Sequence, residues 1–304
     1  MLQKSFHTSS SSPRLFNSSS RSGISVLFRV SRIRLTTLHC GSIEKACDAS
    51  HVRQIDSSLK EGGILKISLG FQDDDCTYLK RLLLNLHENH GHGLPITHSA
   101  SRGWFWDVRP QLDKAEIVAT SPATARSETM ENFPWNTDCS YELSPPRYFA
   151  LQVLHADQCG GGTLSVLEAS CLLKTLSPTV VESLCRPEFM IAVPPEFIKS
   201  EEQKSIVGSV LSVDRARDTV QLRFRQDIIH ALTARGEVAL EELRKALTHS
   251  NIKRHVLDLS PDVLPRGSIV LIDNRRWLHA RSQVRDQARH LRRVRWDAQP
   301  FPTM

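Results

Sequence analysis

Residues 273–279 read Asp-Asn-Arg-Arg-Trp-Leu-His and directly follow the apolar run Ser268–Ile272, which predicts a buried strand. Far upstream, Asn136-Thr137-Asp138 places two polar side chains at positions i and i+2, which share one face of a strand. Non-haem iron sites use two neutral imidazoles and one carboxylate on one face of the metal. Asp138 and His279 fit the carboxylate and the distant imidazole, while Asn136 stands where a second His is expected.

Asn136 leaves several interpretations open. An amide oxygen binds Fe(II) more weakly than imidazole does, so Asp138 and His279 could hold the metal with reduced activity. Another histidine, His98 or His155, could take the missing position, although a structural role is the simpler interpretation of His155. The domain could also be a catalytically inactive relative that still binds an anion. A single changed base in the determined sequence would also convert His to Asn.

Two arginines four residues apart follow His279 and are candidates for holding a dicarboxylate. Arg289 and Arg293 could each form the paired, charge-assisted hydrogen bonds that guanidinium groups make with carboxylates. The competing interpretation is a solvated basic strand. Three more arginines lie in the same segment: Arg285, Arg292 and Arg295.

The positive charge of the chain is confined to its N-terminal part. The 304 residues carry a net charge of +6, yet residues 1–43 contain six basic residues and no acidic one. The remainder is therefore neutral overall, which argues against nucleic-acid binding, because that needs a basic face on the folded domain. No membrane span is expected either, because the chain lacks an apolar run of about 18 residues.

Residues 1–50 are predicted to be an unstructured leader. Their Arg-rich, Ser-rich and acid-poor composition is typical of a mitochondrial transit peptide, with a plain disordered tail as the alternative. We therefore expect a mitochondrial or cytoplasmic protein, not a secreted one. Seven scattered cysteines without a C-x-x-C pair predict neither a disulfide framework nor a zinc site.

Residues 60–304 are predicted to form one domain of short strands and a few helices. The absence of a clear strand–helix–strand alternation favours a β-sandwich or jelly roll with added helices. Strands are predicted at 63–69, 148–154, 163–167, 219–224 and 268–272. Helices are predicted at 78–86, 171–186 and 237–249.

Six segments of this domain resemble the taurine dioxygenase (TauD/TfdA-like) family of Fe(II)- and 2-oxoglutarate-dependent oxygenases, most closely its fungal members. The similarity extends over residues 60–304, so only the leader lies outside it. The segments are Gly103–Val108, Asn136–Glu142, Pro145–Gln152, Gly160–Thr163, Leu222–Arg225 and Asp273–Arg295.

The resemblance implies a mainly β fold with helices (α+β), a double-stranded β-helix or jelly roll of the clavaminate synthase-like type. It matches Asp138 and His279 to iron ligands and places Asn136 in the position of the first His ligand. It matches Thr163 to a residue that contacts 2-oxoglutarate. Arg289 corresponds to the partner of the distal carboxylate of 2-oxoglutarate, and Arg293 to an arginine close to the cosubstrate or substrate anion.

The resemblance also implies hydroxylation of a small organic substrate, with Fe(II) as cofactor, 2-oxoglutarate and O2 consumed, and succinate and CO2 released. Trp104 and Trp106 could line an apolar substrate pocket, although core packing explains aromatic residues more often. Arg225 could pair with a substrate acid or with an internal carboxylate such as Asp227. The alternative function is a non-catalytic binding protein, and neither the substrate nor the oligomeric state follows from the sequence.

Overall fold

The computed structural model describes residues 35–97, 103–111, 125–198, 202–214 and 219–302. The strands are β1 Thr36–Cys40, β2 Ile64–Leu69, β3 Phe105–Val108, β4 Phe133–Asn136, β5 Pro146–His155, β6 Leu164–Glu168, β7 Phe189–Ala192, β8 Ser205–Gly208, β9 Leu211–Asp214, β10 Thr219–Leu222, β11 Ile229–Ala231, β12 Leu257–Leu259, β13 Ser268–Asp273, β14 Trp277–Arg281 and β15 His290–Ala298. The α-helices are α1 Ala49–Gly62, α2 Thr77–His90, α3 Ala169–Leu173, α4 Pro178–Leu184, α5 Ala234–Thr248 and α6 Ser250–Lys253.

Two facing sheets form the centre of the molecule. The larger sheet has the order β1-β2-β13-β5-β15-β3 and the smaller one the order β12-β6-β14-β4. All pairings are antiparallel except that of β1 with β2. Buried side chains from both sheets, such as Phe149, Val166 and Val270, belong to one apolar cluster between them. This arrangement agrees with the predicted jelly roll decorated with helices.

Helices cover the outer face of the larger sheet. Ile55 of α1, Leu82 of α2 and Trp296 of β15 are fully buried in a second apolar cluster there. A third cluster joins α3, α4 and α5 to the short strands β7–β11. No helix in the described ranges combines the length and the apolar character needed to cross a bilayer.

The predicted strands and the helices around residues 78–86 and 237–249 are confirmed, with shifts of a few residues at their ends. The predicted helix at 171–186 is wrong in part, because the structure has two short helices, α3 and α4. Pro178 is the first residue of α4, and Ser177 caps that helix by accepting a hydrogen bond from the Val180 N–H. Proline cannot continue a preceding helix, so the break falls at Ser177-Pro178.

The folded part begins earlier than the sequence predicted. β1 pairs with β2 in parallel, and α1 forms the connection between them, so a strand–helix–strand unit exists that the pattern did not reveal. Asp48 caps α1 by accepting the His51 N–H, and Gly63 ends the helix with φ of 69°. The prediction of an unstructured leader is therefore wrong from residue 35 onward. Residues 1–34, where most of the predicted transit peptide falls, lie outside the described residues.

Candidate active site

The side chains expected to bind iron converge from neighbouring strands of the smaller sheet. In β14, His279 lies directly opposite Asn136 of β4 and opposite Val166 of β6. Asp138 follows β4 by two residues, and its Oδ1 lies 3.6 Å from Nε2 of His279. The Phe149 ring packs on the imidazole with a centroid distance of 4.8 Å. Sheet register therefore brings His279 next to Asn136 and Asp138, which lie far upstream in the sequence.

The peptide groups of Asp138 are fixed by Asn274, to which the sequence analysis gave no role. The Asn274 Oδ1 accepts the Asp138 N–H at 2.7 Å, and its Nδ2 donates to the Asp138 carbonyl at 2.9 Å. Nδ2 also donates to the Pro146 carbonyl at 2.9 Å. Asn274 is fully buried and lies in the turn between β13 and β14. It therefore ties Asp138 to the turn that leads into His279.

Two buried arginines hold the Asp138 carboxylate. Arg295 Nε donates to Oδ2 at 2.6 Å, and Arg293 Nη1 lies 3.4 Å from Oδ1. Burial alone would raise the pKa of Asp138, but Arg293 and Arg295 hold it well below its usual range. Burial lowers the pKa of Arg295, but Asp138 together with Cys139 and Tyr141 outweighs this effect and raises it. The carboxylate is therefore ionised, with Oδ2 held by Arg295 and Oδ1 on the side of His279.

Asn136 is held by its own amide nitrogen. Nδ2 donates to the Pro134 carbonyl at 2.8 Å and to the His279 carbonyl at 3.0 Å. Because both partners are carbonyl oxygens, only the NH2 group of the amide can face them, and this fixes the orientation of the Asn136 amide. The Oδ1 atom is then the only side-chain atom of Asn136 that could bind a metal.

These donors fit a weakly held divalent metal. A carboxylate oxygen and an imidazole nitrogen are already close together, and the amide oxygen of Asn136, which lines the adjoining cavity, would be the third donor. Within the described residues no group of three or more His, Cys, Asp or Glu side chains could hold a metal. His279 Nδ1 also lacks a hydrogen-bond partner in this part of the chain, whereas metal-binding histidines are usually oriented through that second nitrogen.

A cavity of about 30 Å³ opens beside these residues, and Asn136, Asp138, Arg293, Arg295 and Arg225 are among those that line it. The volume is enough for about one water molecule, so a larger ligand has to widen the cavity. Arg225 reaches the cavity, but its Nε and Nη2 each donate to Asp227 at 2.9 Å. The internal carboxylate considered in the sequence analysis is thus the partner that the structure gives to Arg225.

The two tryptophans predicted for the substrate pocket occupy different environments. Trp106 is the cross-strand partner of Arg293 and shares its face of the sheet, and its ring lies 6.4 Å from that of Phe197, which lines the cavity. Trp104 packs with the outer apolar cluster, where Lys80 of α2 lies over its ring. Trp104 therefore covers the outer face of the larger sheet instead of lining the cavity.

Arg289 lies beside the glycine turn that precedes Thr163. A Cβ on Gly162, whose φ is 65°, would come within 2.7 Å of the Arg289 Nε, so only glycine fits there. The Thr163 N–H donates to the Ser282 hydroxyl at 2.9 Å, which fixes the turn against the segment after β14. Burial lowers the pKa of Arg289 to about 10, against the opposing effect of Asp157. Arg289 lines a separate cavity of about 20 Å³ that Arg293 does not reach.

Asp157 organises both loops around Arg289, and the sequence analysis did not single it out. Its carboxylate accepts the N–H groups of Cys159 and Gly161 in one loop and of Arg285 and Asp286 in the other. These backbone hydrogen bonds outweigh the effect of burial and lower the pKa of Asp157. One buried side chain therefore sets the distance between the Thr163 turn and the segment that carries Arg289.

His155 does not supply the missing second imidazole in the described site. His155 lies at the end of β5, opposite His290, and its Nε2 is 3.3 Å from the Asp286 carboxylate. The side chain is 44% exposed and does not line the cavity, so the structural interpretation of His155 agrees with its position. His98 lies outside the described residues.

A jelly roll with an Asp/His pair beside its smaller sheet is the arrangement expected of a non-haem iron oxygenase. The family model of the taurine catabolism dioxygenases (TauD, TfdA family) matches residues 98–295. The chain belongs to this family. The predicted resemblance is thereby confirmed at the level of the family, and the fungal assignment stays a prediction.

Relatives and solved structures agree with this membership. The chain is 28% identical over 179 residues to L-asparagine oxygenase of Streptomyces coelicolor, a match that covers 57% of this chain and 50% of that protein. It thus spans about half the length of this curated relative. Asparagine oxygenase in complex with Fe(II), 2S,3S-3-hydroxyasparagine and succinate has a similar fold, with a TM-score of 0.63 at 19% identity, covering 84% of this chain and 83% of that one.

The non-haem iron oxygenase OrfP in complex with Fe and alpha-ketoglutaric acid also has a similar fold, with a TM-score of 0.58 at 17% identity. This match covers 83% of our chain and 82% of the OrfP chain. At these identities the likeness concerns the fold, and it confirms the predicted double-stranded β-helix.

Proposed function

We propose that this protein is an Fe(II)- and 2-oxoglutarate-dependent dioxygenase that hydroxylates a small polar molecule. The observation that carries the proposal is the 3.6 Å approach of His279 Nε2 to the ionised Asp138 Oδ1, beside a cavity that Asp138 and Asn136 line. Asp138, His279 and the Asn136 amide oxygen would hold the metal. Bound Fe(II) would couple the oxidative decarboxylation of 2-oxoglutarate, which yields succinate and CO2, to C–H hydroxylation by O2.

The protein's own contribution is to fix these donors before a metal arrives. Arg295 holds Oδ2 of Asp138, and Oδ1 lies 3.4 Å from Arg293 Nη1 and 3.6 Å from His279 Nε2. Asn274 fixes the peptide groups on both sides of the Asp138 side chain. Arg289 and the turn at Thr163 would bind the cosubstrate, since a buried guanidinium favours a carboxylate as its partner.

An α-amino acid is the substrate class that best matches the charged groups on the cavity wall. Glu196 and Arg293 both line it, so the wall offers an acid for an ammonium group and a guanidinium for a carboxylate. The relatives named above support this choice, because their names include an asparagine oxygenase. The site would therefore bind the ammonium and carboxylate groups of the amino acid, and the side chain of the amino acid would carry the C–H bond that is hydroxylated.

The test is succinate formation from 2-oxoglutarate, followed by NMR, with purified protein, Fe(II), ascorbate and a panel of free amino acids. We expect succinate that depends on iron and increases with at least one amino acid. The matched control is Asp138→Ala, which removes the carboxylate ligand and should abolish turnover. Equal succinate from the unmodified protein and from Asp138→Ala would contradict the proposal.

A second candidate function is a binding protein without oxygenase activity, and Asn136 is the observation that favours it. Its amide nitrogen is bound to two carbonyls, so the residue contributes at most one neutral oxygen in place of an imidazole. The comparison that separates the two functions is iron affinity in the unmodified protein, in Asn136→Ala and in Asn136→His. Iron binding by Asn136→His but not by the unmodified protein would favour the binding protein. Iron binding by the unmodified protein that is lost in Asn136→Ala would favour the dioxygenase.

A further inference from the structure

Residues 299–301, which we call the strap, follow β15 and contact residues 138–145, the irregular segment between β4 and β5 that begins with Asp138. The Phe301 N–H donates to the Leu143 carbonyl at 3.2 Å. The Leu143 side chain is 59% exposed, so burial of that side chain does not hold this part of the segment. The segment is attached here through its backbone, and the strap supplies the donor.

The segment 138–145 needs contacts from outside to keep its shape. Cys139, the residue after Asp138, has φ of 53°, a left-handed conformation that residues other than glycine rarely adopt. A turn follows, in which the Glu142 N–H donates to the Cys139 carbonyl at 2.9 Å. Such a backbone persists only where the surrounding structure holds it in place. The groups that bind the segment from outside therefore determine where the Asp138 carboxylate lies.

Arg275 joins the strap to this segment. Its Nη1 donates to the Pro300 carbonyl at 3.2 Å, and its Nη2 donates to the Gln299 carbonyl and, at 3.0 Å, to the Pro145 carbonyl. The side chain is buried, and burial lowers its pKa. Arg275 also directly follows Asn274, which holds the peptide groups of Asp138. Because a buried cation without acceptors is costly, Arg275 keeps this position only while the strap supplies its carbonyls.

The Phe301 ring packs against two buried guanidinium groups. Its centroid lies 4.7 Å from Cζ of Arg223 and 6.0 Å from Cζ of Arg275. Burial, together with the like charge of Arg275, lowers the pKa of Arg223 to about 10. The face of an aromatic ring attracts a cation, and more strongly where water is excluded. Phe301, itself only 5% exposed, therefore stabilises two neighbouring positive charges that burial and mutual repulsion disfavour.

We propose that the strap positions the Asp138 carboxylate, with Phe301 and Arg275 as its positioning residues. This inference rests on the proposed function, because it affects the metal only if Asp138 is a metal ligand. Neither Phe301 nor Arg275 is among the described residues that line the cavity beside Asp138, so both would act through the segment 138–145. Loss of the strap would let this segment move, and the carboxylate would leave its place beside His279 more often.

The experiment is amide hydrogen exchange, followed by mass spectrometry, on the full chain without metal and on its Phe301→Ala variant. We expect exchange in residues 138–144 to be at least tenfold faster in the variant, and exchange in α5 to be unchanged. Phe71→Ala is the matched control, because it makes the same change where Phe71 packs with the outer apolar cluster, and it should leave residues 138–144 unaffected. No acceleration in Phe301→Ala, or equal acceleration of residues 138–144 and α5, would overturn the inference.

Metal affinity supplies the second readout. Groups that orient a metal ligand directly change metal affinity about 10- to 100-fold, and Phe301 acts one step further away, so we expect Phe301→Ala to bind Fe(II) at least fivefold more weakly. Phe71→Ala should bind Fe(II) like the unmodified protein. Phe301→Leu keeps an apolar side chain and removes only the ring face, so it should show the same two effects to a smaller degree and decides the question if Phe301→Ala does not fold. Faster exchange with unchanged Fe(II) affinity would overturn the inference.

Failure of this inference differs from failure of the proposed function. Faster exchange of residues 138–144 in Phe301→Ala alone, in a protein that binds no Fe(II), would support the hold of the strap on the segment and contradict the dioxygenase. Iron-dependent succinate formation by the unmodified protein, with unchanged exchange in Phe301→Ala, would support the dioxygenase and overturn the role of the strap.

Discussion

At the scale of single residues, Asn274 is the group on which the position of Asp138 depends most directly. It donates to or accepts from both peptide groups next to that side chain, at 2.7 and 2.9 Å. Groups that orient a metal ligand in this way commonly change metal affinity about 10- to 100-fold when they are replaced. Asn274 is therefore a positioning residue, since it acts on the metal only through Asp138.

We predict that Asn274→Asp lowers iron affinity at least tenfold. The variant keeps the shape of the side chain but replaces the N–H groups that now donate to the Asp138 and Pro146 carbonyls. Unsatisfied buried groups should also cost roughly 1–3 kcal/mol of folding free energy. Iron titration and thermal unfolding measure the two effects separately. Asn89→Asp on the exposed side of α2 is the control, and an equal loss of affinity there would refute the specific role of Asn274.

Asp138 should be essential for stability as well as for metal binding. Asp138→Asn would leave Arg293 and Arg295 as buried cations without their carboxylate, a change that typically costs about 3–5 kcal/mol. Urea unfolding measures the loss. Asp74→Asn, which breaks the exposed ion pair with Arg266, should change stability little. Similar losses of folding free energy in the two variants would contradict a larger contribution from the buried ion pairs of Asp138.

The same pairing determines how stability depends on pH. The pKa of Asp138 in the folded protein lies well below its unfolded value, so the folded state favours the ionised carboxylate. Its contribution is thus complete above the unfolded pKa and is lost as the pH falls below about 4. We therefore expect the free energy of unfolding of Asp138→Asn to fall less steeply below about pH 4 than that of the unmodified protein. An equally steep fall in both proteins would contradict the contribution of Asp138.

At the scale of elements, two loops around Arg289 depend on Asp157. The carboxylate accepts four backbone N–H groups, two from each loop. An amide at this position would turn an N–H group toward at least one of these donors. We predict that Asp157→Asn weakens 2-oxoglutarate binding at least fivefold, measured by calorimetry, while iron binding to the protein without cosubstrate stays unchanged. Asp258→Asn, at an exposed position of β12, is the control, and loss of iron binding in Asp157→Asn would mean that the whole site has collapsed.

The elements that carry the site were predictable to different degrees. The i, i+2 spacing of Asn136 and Asp138 and the apolar run before His279 indicated the iron-binding positions, because local periodicity determines the face of a strand. Arg295 stands two residues beyond Arg293, so the same rule could have indicated its role at the carboxylate. Asn274 and Asp157 could not be found in this way, because each acts across more than one hundred residues, through the register between strands.

At the scale of the whole molecule, the N-terminal boundary of the folded part is the main difference between sequence and structure. The basic composition up to Arg34 obscured the helical spacing of Val52, Ile55 and Leu59, which are fully buried against the larger sheet. β1 could not be predicted from a five-residue run with one buried residue, because its parallel pairing with β2 follows from α1 and not from its own pattern.

We predict that a chain beginning at residue 35 keeps its unfolding temperature, whereas one beginning at residue 63 does not fold. The longer deletion removes β1 and α1, with the buried side chains that cover the larger sheet. Circular dichroism and thermal unfolding measure both variants. Equal unfolding temperatures for the two would refute the assignment of residues 36–62 to the folded core. The transit peptide stays a prediction, which a fusion of residues 1–43 to a fluorescent reporter tests.

The most direct test of the proposed site is an anaerobic titration of the unmodified protein with Fe(II) and 2-oxoglutarate. We predict that the weak visible charge-transfer band of the metal–cosubstrate chelate develops, that Asn136→His strengthens it, and that Asp138→Ala abolishes it. A band in Asn136→His together with none in the unmodified protein, at any iron concentration that leaves the protein folded, would contradict the claim that Asp138, His279 and Asn136 form a working iron site.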